Sequence, residues 1–355
     1  MENVRREAGS VMREMGCLVL VFAMSIALAA GCGGDEGGNE GGNDAAHSPE
    51  ATANATVRPM SPAERAAALC AANGEPQASI VQPPEVVELS GLAASRKNEG
   101  VLWAHNDSGD AARVFAFTAK GEPRALYHVS GAEAIDWEDM AIGPGPQPGE
   151  DYLYLGDIGD NAAKRAEIVV YRAVEPDIDT KVGPDIEGVE RIVLRYPDAP
   201  HDAETLLVDP LNGDLVIVTK EIATGNSGVY RASAAALATG DATLDRAGGI
   251  EKARLTPTSA APEDASPLVR GVGYLPTGGD VSRDGALIAI RTYGSVFLWA
   301  RDENASLTDA LAGTPCEAPS AIEPQGEAIA FDASGDGYFT VSEGVSPPLY
   351  RFGQE

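Results

Sequence analysis

The sequence predicts an all-β fold, a β-propeller of five blades, on three observations. Five short apolar runs are each opened by a polar or acidic residue: Ser90 in ELSGLAA, Glu138 in DWEDMAI, Glu204 in DAETLLV, Asp280 in TGGDVS and Glu327 in QGEAIAF. Each is followed by a second strand-like run (VLWAH, YLYLGD, LVIVTK, LIAIRT, YFTVSE) and then by a third that is aromatic or β-branched (VFAF, IVVYRA, GVYRA, SVFLW, LYRF). The set recurs roughly every 50–75 residues, as in a repeat architecture, and repeats of hairpin-linked strands are propeller blades. Units two and three are long, with 66 and 76 residues between openers, which keeps six blades open as an alternative.

The chain of 355 residues starts with a segment that does not belong to the repeats. Arg5, Arg6 and Arg13 precede the apolar stretch Cys17–Ala30, which ends in Leu28-Ala-Ala-Gly-Cys32. Basic residues, a short apolar stretch and small residues at a cleavage point read as a secretory signal over residues 1–31. The stretch is short for a spanning helix, which needs about 20 apolar residues. Its end resembles the bacterial lipobox, which implies that Cys32 carries lipid and attaches the protein to a membrane. Residues 32–59 follow as a tether rich in Gly, Asn and acids, unable to bury a core. These features place the protein at the cell envelope, in the outer membrane if the cell is Gram-negative, because Gly33 is not the Asp that resembles an inner-membrane retention signal. The formal net charge of −28 repels nucleic acid and anionic lipid, so no nucleic-acid partner is expected.

The folded domain is expected over residues 60–355. A short helix is predicted over Ser61–Cys70, with Ser61 as N-cap, Pro62 in the first turn and Glu64 completing a capping box. Residues 78–82 read as a strand preceding the first unit. Fourth, outer strands are predicted at Arg124–Val129, Glu190–Arg195 and Lys252–Leu255, but the last unit ends at Phe352 with no room for one. The strand at 78–82 is free to supply it and close the ring, leaving no exposed edge. In an exported protein the two remaining cysteines, Cys70 and Cys316, are expected to pair and staple that closure.

Glu138, Glu204 and Glu327 stand at one offset from similar apolar runs, with Ser90 at that offset in unit one. One offset on alternating strands means one face and one height, so the three carboxylates should meet near the channel and are candidate metal ligands. Asp280 falls about three residues late in its unit, where Thr277 holds the equivalent place. The ends of the following strands add Asp107, Asp157, Lys220, Arg291 and Glu343 to the same rim. Crowded carboxylates resist joint ionisation, so either a hard cation such as Ca²⁺ or the cations Lys220 and Arg291 must offset them. Acids at strand starts also cap loops and join neighbouring blades, and that structural role stands beside the ligand one. His105 and His201 lie at candidate rim positions and read as polar loop residues. No Gly-x-Ser-x-Gly, His-Glu-x-x-His or phosphate-binding Gly-rich loop is present.

The last unit, EPQGEAIAFDASGDGYFTVSEGVSPPLYRF, resembles the final blade of SdiA-regulated propeller proteins and of phytase-like or esterase-like propellers. DWEDMAIGPG and LYLGDIGDN resemble segments of secreted bacterial propellers. The phytase resemblance implies rim-bound calcium and phosphate-ester hydrolysis by a metal-activated water. Residue by residue it reaches Glu138, Glu327 and Glu343, and the basic phosphate-binding residues of phytases have no counterpart. Three functions are therefore in view: an envelope protein that binds a small ligand, a cation or both at its rim; a calcium-dependent phosphoesterase; and a scaffold for an envelope protein partner.

Overall fold

The computed structural model describes residues 58–180 and 183–353. The predicted leader, Cys32 and all of the tether before Arg58 lie outside them. The helix forms at Pro62–Cys70, and Ser61 caps it through the predicted box with Glu64.

Five antiparallel sheets follow, one per repeat. The inner strands are Leu89–Ala94, Trp137–Pro144, Ala203–Val208, Pro276–Val281 and Gly326–Phe331. Blades 1 and 2 each gain a fifth, parallel strand at the outer edge, Asp185–Ile186 and Asp241–Thr243. The predicted outer strands of blades 1 and 2 form, at Pro123–Val129 and Glu190–Arg195. The outer strand of blade 3 is Asp245–Ile250, whereas Lys252–Arg254 is a 3-10 turn, a correction to the predicted strand at Lys252–Leu255. The reason is local: Gly248 and Gly249 continue the pairing through a register shift opposite Val229 and Tyr230, so the ladder is complete at Ile250.

Closure runs as the sequence predicts. Gln77–Ile80 pairs antiparallel with the last strand, Gln77 opposite Arg351 and Ile80 opposite Pro348, and supplies the fourth strand of blade 5. Cys70 and Cys316 form a disulfide that joins the end of the helix to the outer strand of blade 4.

The core is divided among the blade interfaces. Five apolar clusters are found, centred on Trp137 and Met140 between blades 1 and 2, on Tyr154 and Leu206 between 2 and 3, on Val216 and Trp299 between 3 and 4, on Leu298 and Tyr338 between 4 and 5, and on Leu92 and Ala330 between 5 and 1. A cluster between the last blade and the first means the ring is sealed by packing as well as by strand pairing. The helix adds Ala66 and Leu69 to the cluster between blades 4 and 5.

Candidate ligand and cation site at the channel mouth

Each inner strand carries a one-residue shift in its pairing with the second strand of its blade. The extra residues are Ser90, Glu138, Glu204, Thr277 and Glu327, the repeat positions read from the sequence. A bulge re-aims the side chain it carries. The two hydroxyls use this to bind the next blade: Ser90 Oγ donates to the Glu138 carbonyl at 2.5 Å and Thr277 Oγ1 to the Gly326 carbonyl at 2.8 Å. The three glutamates, with Ser90, line a cavity of about 190 Å³ at the mouth of the channel.

Seven of the ten predicted site residues line that cavity: Ser90, Asp107, Glu138, Glu204, Lys220, Glu327 and Glu343. Asn161, Tyr293 and Gln325 complete it. The other three lie elsewhere. Asp280 stands three residues beyond the bulge of blade 4, half-buried, where its carboxylate accepts from the Phe331 amide at 2.7 Å and from that of its neighbour Val281 at 2.8 Å. It joins blade 4 to blade 5. Arg291 is wholly buried, opposite Gly278 in the ladder and pressed against Gly326, with the Glu323 carboxylate 3.4 Å away. It therefore serves a buried pair and not the rim acids. Asp157 is also buried, accepting from the Asp136 amide at 3.1 Å and pairing with Arg165 at 2.8 Å.

Within the cavity the three glutamates meet different partners. Lys220, itself buried, is in direct contact with Glu204, and its Nζ lies 3.9 Å from Asp202 and 3.4 Å from the Tyr293 hydroxyl. Among the described residues the second oxygen of Glu204 has no hydrogen-bond partner. Glu327 accepts from Gln325 Nε2 at 2.8 Å. Among the described residues Glu138 makes no ion pair. Its carboxylate instead joins those of Asp107 and Asp136, one oxygen from each lying within 4.8 Å of the others.

Burial and mutual repulsion push these acids up. Glu138 stands well above its ordinary range, first through burial and then through Asp107. Asp136 is raised to about 6 by burial, with Asp107 and Asp202 adding to it. Glu327 is raised to about 8, chiefly by burial. Asp107 and Glu343 are raised too, burial again first. Five acids line the cavity against one lysine, so their joint ionisation is opposed, and a bound cation would favour it.

Asp136, Tyr293 and Gln325 were not singled out by the repeat pattern. Each lies in a segment entering an inner strand or leaving a second strand, next to a repeat position but not at one. DWED, with acids on either side of Trp137, was the available signal for Asp136. His105 departs from its reading as a loop residue: it is fully buried in the second strand of blade 1, edge-on to Trp137 with ring centres 5.2 Å apart. His201 lies on the loop before the inner strand of blade 3, with Glu221 Oε1 2.7 Å from Nδ1 and the Tyr230 hydroxyl 2.8 Å from Nε2.

No protein-family model and no curated protein matches this chain. Among solved structures it is similar to a chain of a nidogen/laminin complex, at 12% identity and a TM-score of 0.40, over 74% of each chain. It is also similar to XC5397 from Xanthomonas campestris, described as a gluconolactonase, at 13% identity and a TM-score of 0.41, over 79% of this chain and 91% of the other. At these values neither similarity says anything of this chain's activity.

Proposed function

We propose that this protein binds a divalent cation, calcium by its ligand chemistry, at the mouth of the propeller channel, and holds a small ligand there. The observation that carries this reading is the carboxylate trio of Asp107, Asp136 and Glu138. Calcium takes oxygen ligands at about 2.3–2.6 Å, so carboxylate oxygens on one ion stand a few ångströms apart, compatible with the trio's spacing. Glu204 lines the same cavity, and its Oε2 has no hydrogen-bond partner among the described residues. In this scheme Lys220 neutralises Glu204 and leaves the cation to the trio. One lysine beside five acids offers little to grip a phosphate, which favours ligand binding over phosphoester hydrolysis.

The compartment is part of the proposal. A disulfide fits an oxidising, extracytoplasmic location, and among the described residues no helix is long and apolar enough to cross a membrane. Lipid on Cys32 would then hold the propeller at the envelope.

The test is thermal. Calcium should raise the Tm of the parent protein, by linkage of ion binding to the folded state, worth about 2.7 kcal/mol at a hundredfold excess over Kd. The double variant Asp136→Asn, Glu138→Gln should fold and lose the gain. A melting curve that calcium leaves unmoved in the parent protein would overturn the cation site.

A further inference from the structure

The connection between blades 3 and 4, residues 251–275, carries a 3-10 turn and the short helix Pro267–Val272. Together with the segment entering blade 5 it encloses a groove of about 360 Å³. Its walls are fixed at several points. The Gly294 amide donates to the Gly273 carbonyl at 2.9 Å, and the Tyr293 amide to the Leu275 carbonyl at 3.2 Å. Glu317 ties both sides, accepting from the Thr258 amide at 2.8 Å and the Ser295 hydroxyl at 2.7 Å. Lys252 Nζ sits 3.7 Å over the Tyr274 ring. The groove is therefore built in advance of any occupant.

Much of its lining is apolar, including Pro257, Pro262 and Val269, with Ile322 left 62% exposed beside it. Three charged side chains interrupt that lining: Glu317, already tied to both walls, Arg270 and Glu323. Arg270 stands exposed at the rim and makes no ion pair among the described residues. Glu323 is 2% exposed; its Oε1 accepts from the Thr340 hydroxyl at 2.6 Å, and its Oε2 has no hydrogen-bond partner among the described residues. Arg291 lies 3.4 Å from Oε1, so the charge of Glu323 is already offset. Oε2 has no donor in hydrogen-bond geometry among the described residues, and the three nitrogens of Arg291 beside the same carboxylate have no acceptor.

We propose that this groove is a binding site for a small organic anion. Its apolar body packs between Pro257, Pro262 and Val269, its anionic group meets Arg270, and a hydroxyl or N–H donates to Glu323 Oε2. Small-molecule sites have this character, mostly apolar with a few placed polar groups. A buried acceptor left unmet is costly, so the site rejects an analogue that lacks the donor. Tyr293 lines both this groove and the channel cavity, so the two are neighbours, but the groove's recognition chemistry needs no cation.

Calorimetric titration in chelator tests it, with hydroxynaphthoate, naphthoate and naphthol as probes on the whole domain. Hydroxynaphthoate should bind one-to-one, and both naphthoate, which lacks the donor, and naphthol, which lacks the anion, at least fivefold more weakly. Arg270→Gln should weaken hydroxynaphthoate about tenfold and leave naphthol unchanged. Ala260→Trp, at an exposed lining position, should abolish binding while the melting curve stays that of the parent. Saturable binding that survives Ala260→Trp, or no saturable binding of any probe to normally folded parent protein, overturns the site. Because calcium is absent, neither result depends on the cation reading.

Discussion

Glu138 shows how one residue type takes different roles at one repeat position. At the equivalent bulges Glu204 is met by Lys220 and Glu327 by Gln325, while Glu138 is left among acids. Its neighbours make pH the sensitive variable. A carboxyl raised on folding contributes stability that is complete below its ordinary pKa and is lost as pH rises through its folded value. Asp136 rises from 3.8 to about 6 and Glu327 from 4.5 to about 8. In chelator the Tm should therefore fall as pH is raised from about 4 to about 8. Calcium should remove the part due to Asp136 and leave the upper part due to Glu327. A pH scan of melting curves with and without calcium checks both, and a Tm that climbs across this window would contradict the burial of these acids.

At the scale of the strand, the inner ladders do two things. Their bulges aim side chains into the mouth, and the residues just beyond hold the blades to one another. Asp139 is the clearest case. It is fully buried, its Oδ2 accepts from the amides of Leu206 on blade 3 at 2.8 Å and Gly279 on blade 4 at 3.0 Å, and its Oδ1 accepts from Met140 at 2.8 Å. Gly278 and Gly279 belong to this arrangement, since a Cβ at either would overlap atoms of a neighbouring blade. Replacing the carboxylate leaves three amides without their acceptor, at about 1–3 kcal/mol for each buried group. Asp139→Leu should thus lower stability in urea by at least about 3 kcal/mol, whereas a surface change such as Asp302→Asn should do almost nothing. Equal midpoints for the two variants would show that Asp139 is not an inter-blade tie.

For the whole molecule, the issue is closure. A propeller stays shut only if its last blade holds its first, and here the strand Gln77–Ile80 and the cluster around Leu92 and Ala330 do so, while the disulfide, spanning 246 residues, pins the helix before that strand to blade 4. A crosslink over so long a loop is worth roughly 2–4 kcal/mol by restricting the unfolded chain. The pair Cys70→Ser, Cys316→Ser should lose about that much in chemical denaturation, with blade packing and calcium response retained. An unchanged midpoint would leave closure to the strand and the apolar cluster alone. The envelope reading has its own test at this scale: Cys32→Ser should move the protein from the membrane fraction to the soluble one. Partition into detergent that the substitution leaves unchanged would end it.

Much of this was written locally. Strand alternation and a repeated offset are short-range properties, so the five blades, the equivalence of Ser90, Glu138, Glu204, Thr277 and Glu327, the closing strand and the pairing of Cys70 with Cys316 were all legible in the chain. Asp280 could be marked as out of step, because Thr277 already held its place. Which of these side chains share a cavity was decided only by the tertiary structure. Periodicity encodes the face of a strand but not the distance between loops far apart in sequence, which follows from how five twisted blades pack about one axis. Hence Asp136, off the repeat, joins Glu138, and Lys220 pairs with Glu204. Arg291, at the end of a strand like Lys220, turns into the wall between blades 4 and 5 to meet Glu323.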